Sequence, residues 1–301
     1  MFYQWMTKMG LAVLLFSFGA NATYAQINVF ACEPEWAALT RQLGGTAVKV
    51  FSATTNQQDP HHIQARPSLI AKVRRADLLV CTGADLEIGW LPLLLRKSGN
   101  GNILAGTPGH FMASDYVELL EKRAVLDRAM GDIHAAGNPH IHFDPQRIQL
   151  IANVLTQRLI KIDPANKTLY RQNGQDFSQQ WQQAIKGWHR AAKALRGTKI
   201  VVGHNNWVYL EQWLGLVKVA TLEPKPGIPP TSRHLGKVLA QLKQNPAAMI
   251  LISSAQNDKS ARWLEKRTAI PRIELAFGPA KNKTLEQWFG QIVAQLVKSG
   301  S

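Results

Sequence analysis

The sequence predicts an α/β protein built as two βα lobes with parallel sheets, joined by one long linking helix. Three observations carry this. Short apolar runs alternate with amphipathic ones from Ile27 to Leu104, and again from Lys199 to Lys298. That alternation implies βα units and parallel strands. Between the two blocks, Tyr170, Asn173, Phe177, Trp181, Ile185, Trp188, Ala192 and Leu195 recur at steps of three and four. That is the period of one amphipathic helix. Finally, histidines close strand-like or loop segments at three separate stations, and in open α/β sheets that edge is where ligands bind.

In order, Ile27–Ala31 reads as a strand and Glu35–Leu43 as a helix stopped by Gly44-Gly45. Strand 48–53, helix 68–76, strand 77–81 and helix 86–97 follow. Residues 100–109, rich in glycine, read as a loop, and 116–130 shows no usable period. Asp144-Pro145 opens a helix through Ile148, Ile151, Leu155 and Leu159. The run from Lys167 to Leu195 has about 29 residues and would span roughly 43 Å, enough for a strut between lobes. Gly174 leaves a pair of helices broken at that point as the alternative. Strand 199–202, helix 207–214, strand 216–221, helix 233–243, strand 248–252, helix 260–267, strand 270–275 and helix 284–298 complete the chain. The expected divisions are a leader at 1–25, an N-terminal lobe at 26–165, a linking helix at 166–196 and a C-terminal lobe at 197–301.

The leader is expected from Lys8, the apolar run Leu11–Phe18, and small residues at Thr23 and Ala25, with cleavage after Ala25. The apolar run is shorter than the ~20 residues of a membrane span. The mature chain is therefore expected to be exported and not inserted in a membrane. Cys32 and Cys81 each end a strand-like run. An oxidising compartment would allow a disulfide, and two buried thiols are the equal alternative. The net charge of +15 is spread along the chain without a basic, aromatic-interleaved run. It reads as a solvated basic surface and not as a nucleic-acid site.

The three stations are Asp59-Pro60-His61-His62, Asn138-Pro139-His140-Ile141-His142 and Gly203-His204. Imidazole suits zinc, copper, nickel or iron. His61 and His62 are adjacent, so one of them, His61 by position, is expected to face an ion. His140 and His142 would share a face if extended, so His142 is a further ligand or a partner to one. Asp59 and Asp144 are candidates to orient the rings. His134 is expected to be a loop residue, with lining of a cleft as the second reading. His110, His189 and His234 lack a supporting pattern.

Asp59-Pro60-His61, Asn138-Pro139-His140 with Phe143-Asp144-Pro145, and Gly203-His204 together resemble the metal-binding solute-binding proteins of bacterial ABC importers, the zinc and manganese family. The likeness covers nearly all of the mature chain. It implies lobes joined by one long helix, a metal site in the cleft between them, His61, His140 and His204 as ligands, and delivery of a divalent cation to a membrane permease. It implies a non-enzymatic, periplasmic chain, expected to be a monomer. The family often has a carboxylate after the third strand of the second lobe, where this sequence has Ser254. Asp258, Glu274 or water are then the candidates for a fourth ligand. Three imidazoles and one oxygen suit tetrahedral zinc at about 2.0–2.1 Å per nitrogen. Manganese, which favours more carboxylate, is the second choice. Binding is expected to weaken as pH falls through ~6.5. Two rivals remain. A secreted zinc hydrolase would need a general base, and no glutamate adjoins a station. An organic-ligand binder would need cleft arginines, and Arg66 is the one motif-adjacent candidate.

Overall fold

The computed structural model describes residues 26–122 and 134–300. The expected leader at 1–25 lies outside these residues. No helix among the described residues is long and apolar enough to cross a membrane.

Strands β1 (Ile27–Ala31), β2 (Val48–Ser52), β3 (Leu78–Cys81) and β4 (His110–Met112) form one sheet in the order β2-β1-β3-β4. Every pairing is parallel. Strands β5 (Lys199–Val202), β6 (Val217–Thr221), β7 (Met249–Ser253) and β8 (Arg272–Leu275) repeat that order as β6-β5-β7-β8, again parallel. The central strands are mostly apolar because helices cover both faces of a parallel sheet. β3 and β7 are buried along their whole length.

The helices are α1 (Pro34–Gly44), α2 (Pro67–Arg74), α3 (Leu91–Ser98), α4 (Pro145–Ile162), α5 (Lys167–Ala191), α6 (Val208–Leu214), α7 (Ser232–Gln244), α8 (Lys259–Thr268) and α9 (Leu285–Gly300). α5 is continuous through Gly174, so the broken-pair alternative does not hold. At 25 residues it spans about 37 Å. The glycine has a packing role: a Cβ there would lie 2.8 Å from Cγ2 of Thr156 on α4. Tyr170, Phe177 and Trp181 of α5 join one apolar core with Val29 and Val80 of the first sheet and Val202 and Leu251 of the second. The two sheets therefore share packed surface along this helix.

Two expectations of the sequence fail locally. The helix expected at 86–97 starts at Leu91. Ala84 and Asp85 take positive φ, and the Glu87 carboxylate accepts from the Thr82 and Gly83 N–H groups, so the chain is spent on a turn. β4 went unread because three residues are too few for an alternation to register.

The two cysteines are bonded. β1 and β3 pair Ala31 with Val80, so Cys32 and Cys81 are next in register, with Cα atoms 4.8 Å apart. The thiol alternative is thereby closed.

Candidate metal centre

The loops that leave the carboxyl ends of the strands build one pocket between the two halves. After β2, residues 60–62 make a single 3-10 turn. The Asp59 side chain caps it by accepting from His61 N–H at 3.0 Å, and Trp90 Nε1 donates to Pro60 O at 2.8 Å. After β4, Asn138 Oδ1 accepts from His140 N–H at 3.1 Å, and Asn138 Nδ2 donates to Asn205 O of the other half at 2.8 Å. After β5, Gly203 leads directly into His204. The first two stations are each held by a side-chain cap on the histidine's own N–H, which limits where its ring can point.

The rings of His61, His140 and His204 converge. Their centroids are 5.5 Å apart for His61–His140, 6.0 Å for His61–His204 and 5.7 Å for His140–His204. The space they enclose is about 10 Å³, room for an ion, and Ala255, Gln256 and Phe277 close its far side. Asp59 Oδ1 lies 2.8 Å from His61 Nδ1, and Glu223 Oε2 lies 2.7 Å from His204 Nδ1. A carboxylate on Nδ1 accepts its proton, so each ring presents a bare Nε2 to the pocket. Such partners raise donor strength and lock the tautomer. Burial works against ionisation of Asp59, but the hydrogen bonds from the His61 ring and backbone N–H prevail and hold its pKa below the usual carboxylate value.

A fourth ring joins them. His134 Nε2 sits 3.2 Å from His61 Nε2. Four nitrogens at about 2.0–2.1 Å from one tetrahedral ion would be roughly 3.3 Å apart. Burial, with the neighbouring His61 and His204, lowers the His134 pKa to about 4. Burial and the same crowding hold His140 well below its ordinary value. These two rings stay neutral far below the ~6.5 of free imidazole, so that midpoint does not describe them. His134 was readable only by residue type: its loop has no period and no flanking motif.

The other candidates fall elsewhere. His62 is exposed and lines a neighbouring cavity, its ring 6.1 Å from that of His61. His142 is fully buried 3.4 Å from Glu35, packed on Phe143 and Phe277. It does not share a face with His140 because 141–143 form a 3-10 turn, which turns the second residue away. Asp258 pairs with Arg262 at 2.7 Å and Arg272 at 3.2 Å. Glu274, more than half exposed, also faces Arg272, at 3.5 Å. Asp144 caps α4 through Gln146 N–H and pairs with Arg147. Ser254 donates to Asn56 O at 2.9 Å, tying the halves together outside the pocket. Among the described residues, then, no carboxylate replaces the one expected beside the third strand of the second half.

Three glutamates of the first half, Glu33, Glu35 and Glu87, are buried. Burial raises Glu35 to about 8 and Glu87 to about 7, and pushes Glu33 well above the ordinary value, with Glu87 adding to the effect. Opposite them, burial lowers His142 to about 3. A raised carboxyl stabilises the fold fully below its unfolded pKa of 4.5, and that contribution is lost as pH rises through 7–8. A lowered imidazole acts the other way below 6.5. The opposing slopes overlap between these limits, so the metal-free chain should be most stable from about pH 4.5 to 6.5. Its melting temperature should fall on the alkaline side, and Glu87→Gln should flatten that fall. Melting curves of the two proteins running parallel from pH 6.5 to 9 would refute this.

A family model described as ZnuA, zinc-uptake complex component A, periplasmic, matches residues 29–299. The chain is 22% identical over 282 residues to the manganese ABC transporter substrate-binding lipoprotein PsaA of Streptococcus anginosus, covering 88% of each chain. It is 24% identical over 210 residues to the high-affinity zinc uptake system protein ZnuA of Bacillus subtilis, covering 68% of this chain and 64% of that one. Among solved structures, a crystal structure of ZnuA superposes with a TM-score of 0.76 at 18% identity, covering 92% of this chain and all of the other. A cadmium-bound periplasmic metal-binding protein from Candidatus Liberibacter asiaticus gives 0.74 at 17%, with 92% and 100% covered.

Proposed function

The chain belongs to the ZnuA family of periplasmic zinc-uptake components, and from that premise we propose that it captures zinc outside the cytoplasm and hands it to the permease of an ABC importer. His61, His140, His204 and His134 are the ligands in this reading, with Asp59 and Glu223 behind two of them. The single observation that carries it is the convergence of the His61, His140 and His204 rings on one pocket, with His134 Nε2 3.2 Å from His61 Nε2.

The charge arithmetic supports a dication. Asp59 and Glu223 each carry one negative charge when ionised, and each reaches the pocket through an imidazole. Together they offset two positive charges one ring away. Borderline nitrogen donors favour zinc, and manganese prefers oxygen. A binding role without catalysis is favoured because the relatives are transporter components, and Asp59 and Glu223 are engaged with rings.

Elemental analysis of protein purified without chelator is the direct test. About one zinc per chain is expected, with manganese bound at least ~100-fold more weakly in competition calorimetry. More manganese than zinc would reverse the assignment.

The orienting carboxylates give a second expectation. Asp59→Asn and Glu223→Gln should each weaken zinc by about 10- to 100-fold, since second partners typically matter by that factor. The fold should melt normally. Unchanged affinity in both would mean that the rings need no orientation. Glu223 also accepts from Gly227 N–H at 2.8 Å, so its variant should additionally loosen the loop at 223–230.

A further inference from the structure

Beside the imidazole pocket lies a cavity of about 560 Å³. The two share Asp59, His204, Ala255 and Gln256. The small pocket accepts an ion and little else, whereas the large one falls in the range of small-molecule sites. A bare cation has no use for that volume.

The walls say what would fill it. Trp263, Leu235 and Ile252 supply an apolar side, and Lys259 supplies a cation. At the junction with the ion pocket, Gln256 Oε1 is buried without a hydrogen-bond partner. An orphaned buried acceptor is costly and calls for an N–H or O–H donor. Asp59 and Glu223 on the same walls oppose a ligand with several negative charges.

We propose that this cavity takes an amino acid chelated to the metal, so that the ion is captured together with a small organic ligand. The carboxylate meets Lys259, the amino N–H meets Gln256 Oε1, and the side chain rests on Trp263 and Leu235. Its neutral amino nitrogen and a carboxylate oxygen would chelate the ion in place of His134, giving five donors with His61, His140 and His204. Di- and tricarboxylates fit less well, having no N–H for Gln256 and more charge than one lysine offsets. The inference rests on the metal reading above.

The test is equilibrium dialysis of the metal-free mature chain against an equimolar mixture of the twenty amino acids, with zinc, with manganese and without metal, the bound fraction identified by mass spectrometry. One or more amino acids should be retained at about one per ion, and at least tenfold less without metal. Lys259→Ala and Trp263→Ala should cut that retention about tenfold while binding zinc alone as the parent does. Metal retained with no amino acid above the metal-free control overturns the inference and leaves the metal reading standing. Both variants retaining the amino acid fully would overturn it too. A chain that holds neither zinc nor manganese removes both.

Discussion

His140→Ala should cost at least two orders of magnitude in zinc affinity. Structural zinc sites bind with roughly 10–16 kcal/mol, so one ligand of four carries about 3 kcal/mol, or some 100-fold. His140 is the most secluded of the rings at 2% exposure, and water replaces it poorly there. His61→Ala and His204→Ala should fall in the same range. In each of those, a carboxylate (Asp59 or Glu223) also loses its partner. His134→Ala is the informative member of the series. A loss comparable to the others makes it the fourth ligand, whereas a loss under about threefold would leave that position to water. Asp258→Ala and Glu274→Ala serve as controls and should bind zinc normally, because both carboxylates face Arg272. Calorimetry on the six proteins decides. Full affinity in His140→Ala would end the metal assignment.

Removing the Cys32–Cys81 bond should give the largest change in stability. The bridge spans 49 residues, and closing a loop of that size in the unfolded chain is worth about 4 kcal/mol. Both cysteines are fully buried between β1 and β3, against Phe30 and Trp90, so the double alanine variant also loses some packing. The loop enclosed by the bond carries His61 and Asp59. Chemical denaturation of Cys32→Ala/Cys81→Ala should therefore show a midpoint shifted down by several kcal/mol, while zinc affinity at low temperature stays near that of the parent. A shift below about 1 kcal/mol would mean that the bond merely restates what the sheet already enforces.

Much of the site was legible because its parts are local. Asp59-Pro60-His61 sets its own cap, Asn138 holds His140 two residues on, and Gly203-His204 ends a strand. His134 was not legible, since what makes it matter is the 3.2 Å approach to His61, 73 residues away. Glu223 was unremarkable in sequence for the same reason, being 19 residues from the ring it orients. Asp258 and Glu274 looked available because the arginine that engages both lies on another element from Asp258.

Periodicity alone determined the α/β class and the two repeats of strand and helix, because alternation and a 3.6-residue period are properties of neighbours along the chain, whereas the continuity of α5 through Gly174 was decided by the fold. The histidine stations were determined at the same level, since strand ends and caps are local events. Only the folded chain decided which donors meet. Two parallel sheets with the same strand order bring their loop edges together, and that arrangement sets His134 beside His61, packs His142 beside Glu35, and leaves a cavity next to the imidazole pocket. Contacts between residues dozens of positions apart leave no trace in a single sequence, because each is set by the packing of everything between them.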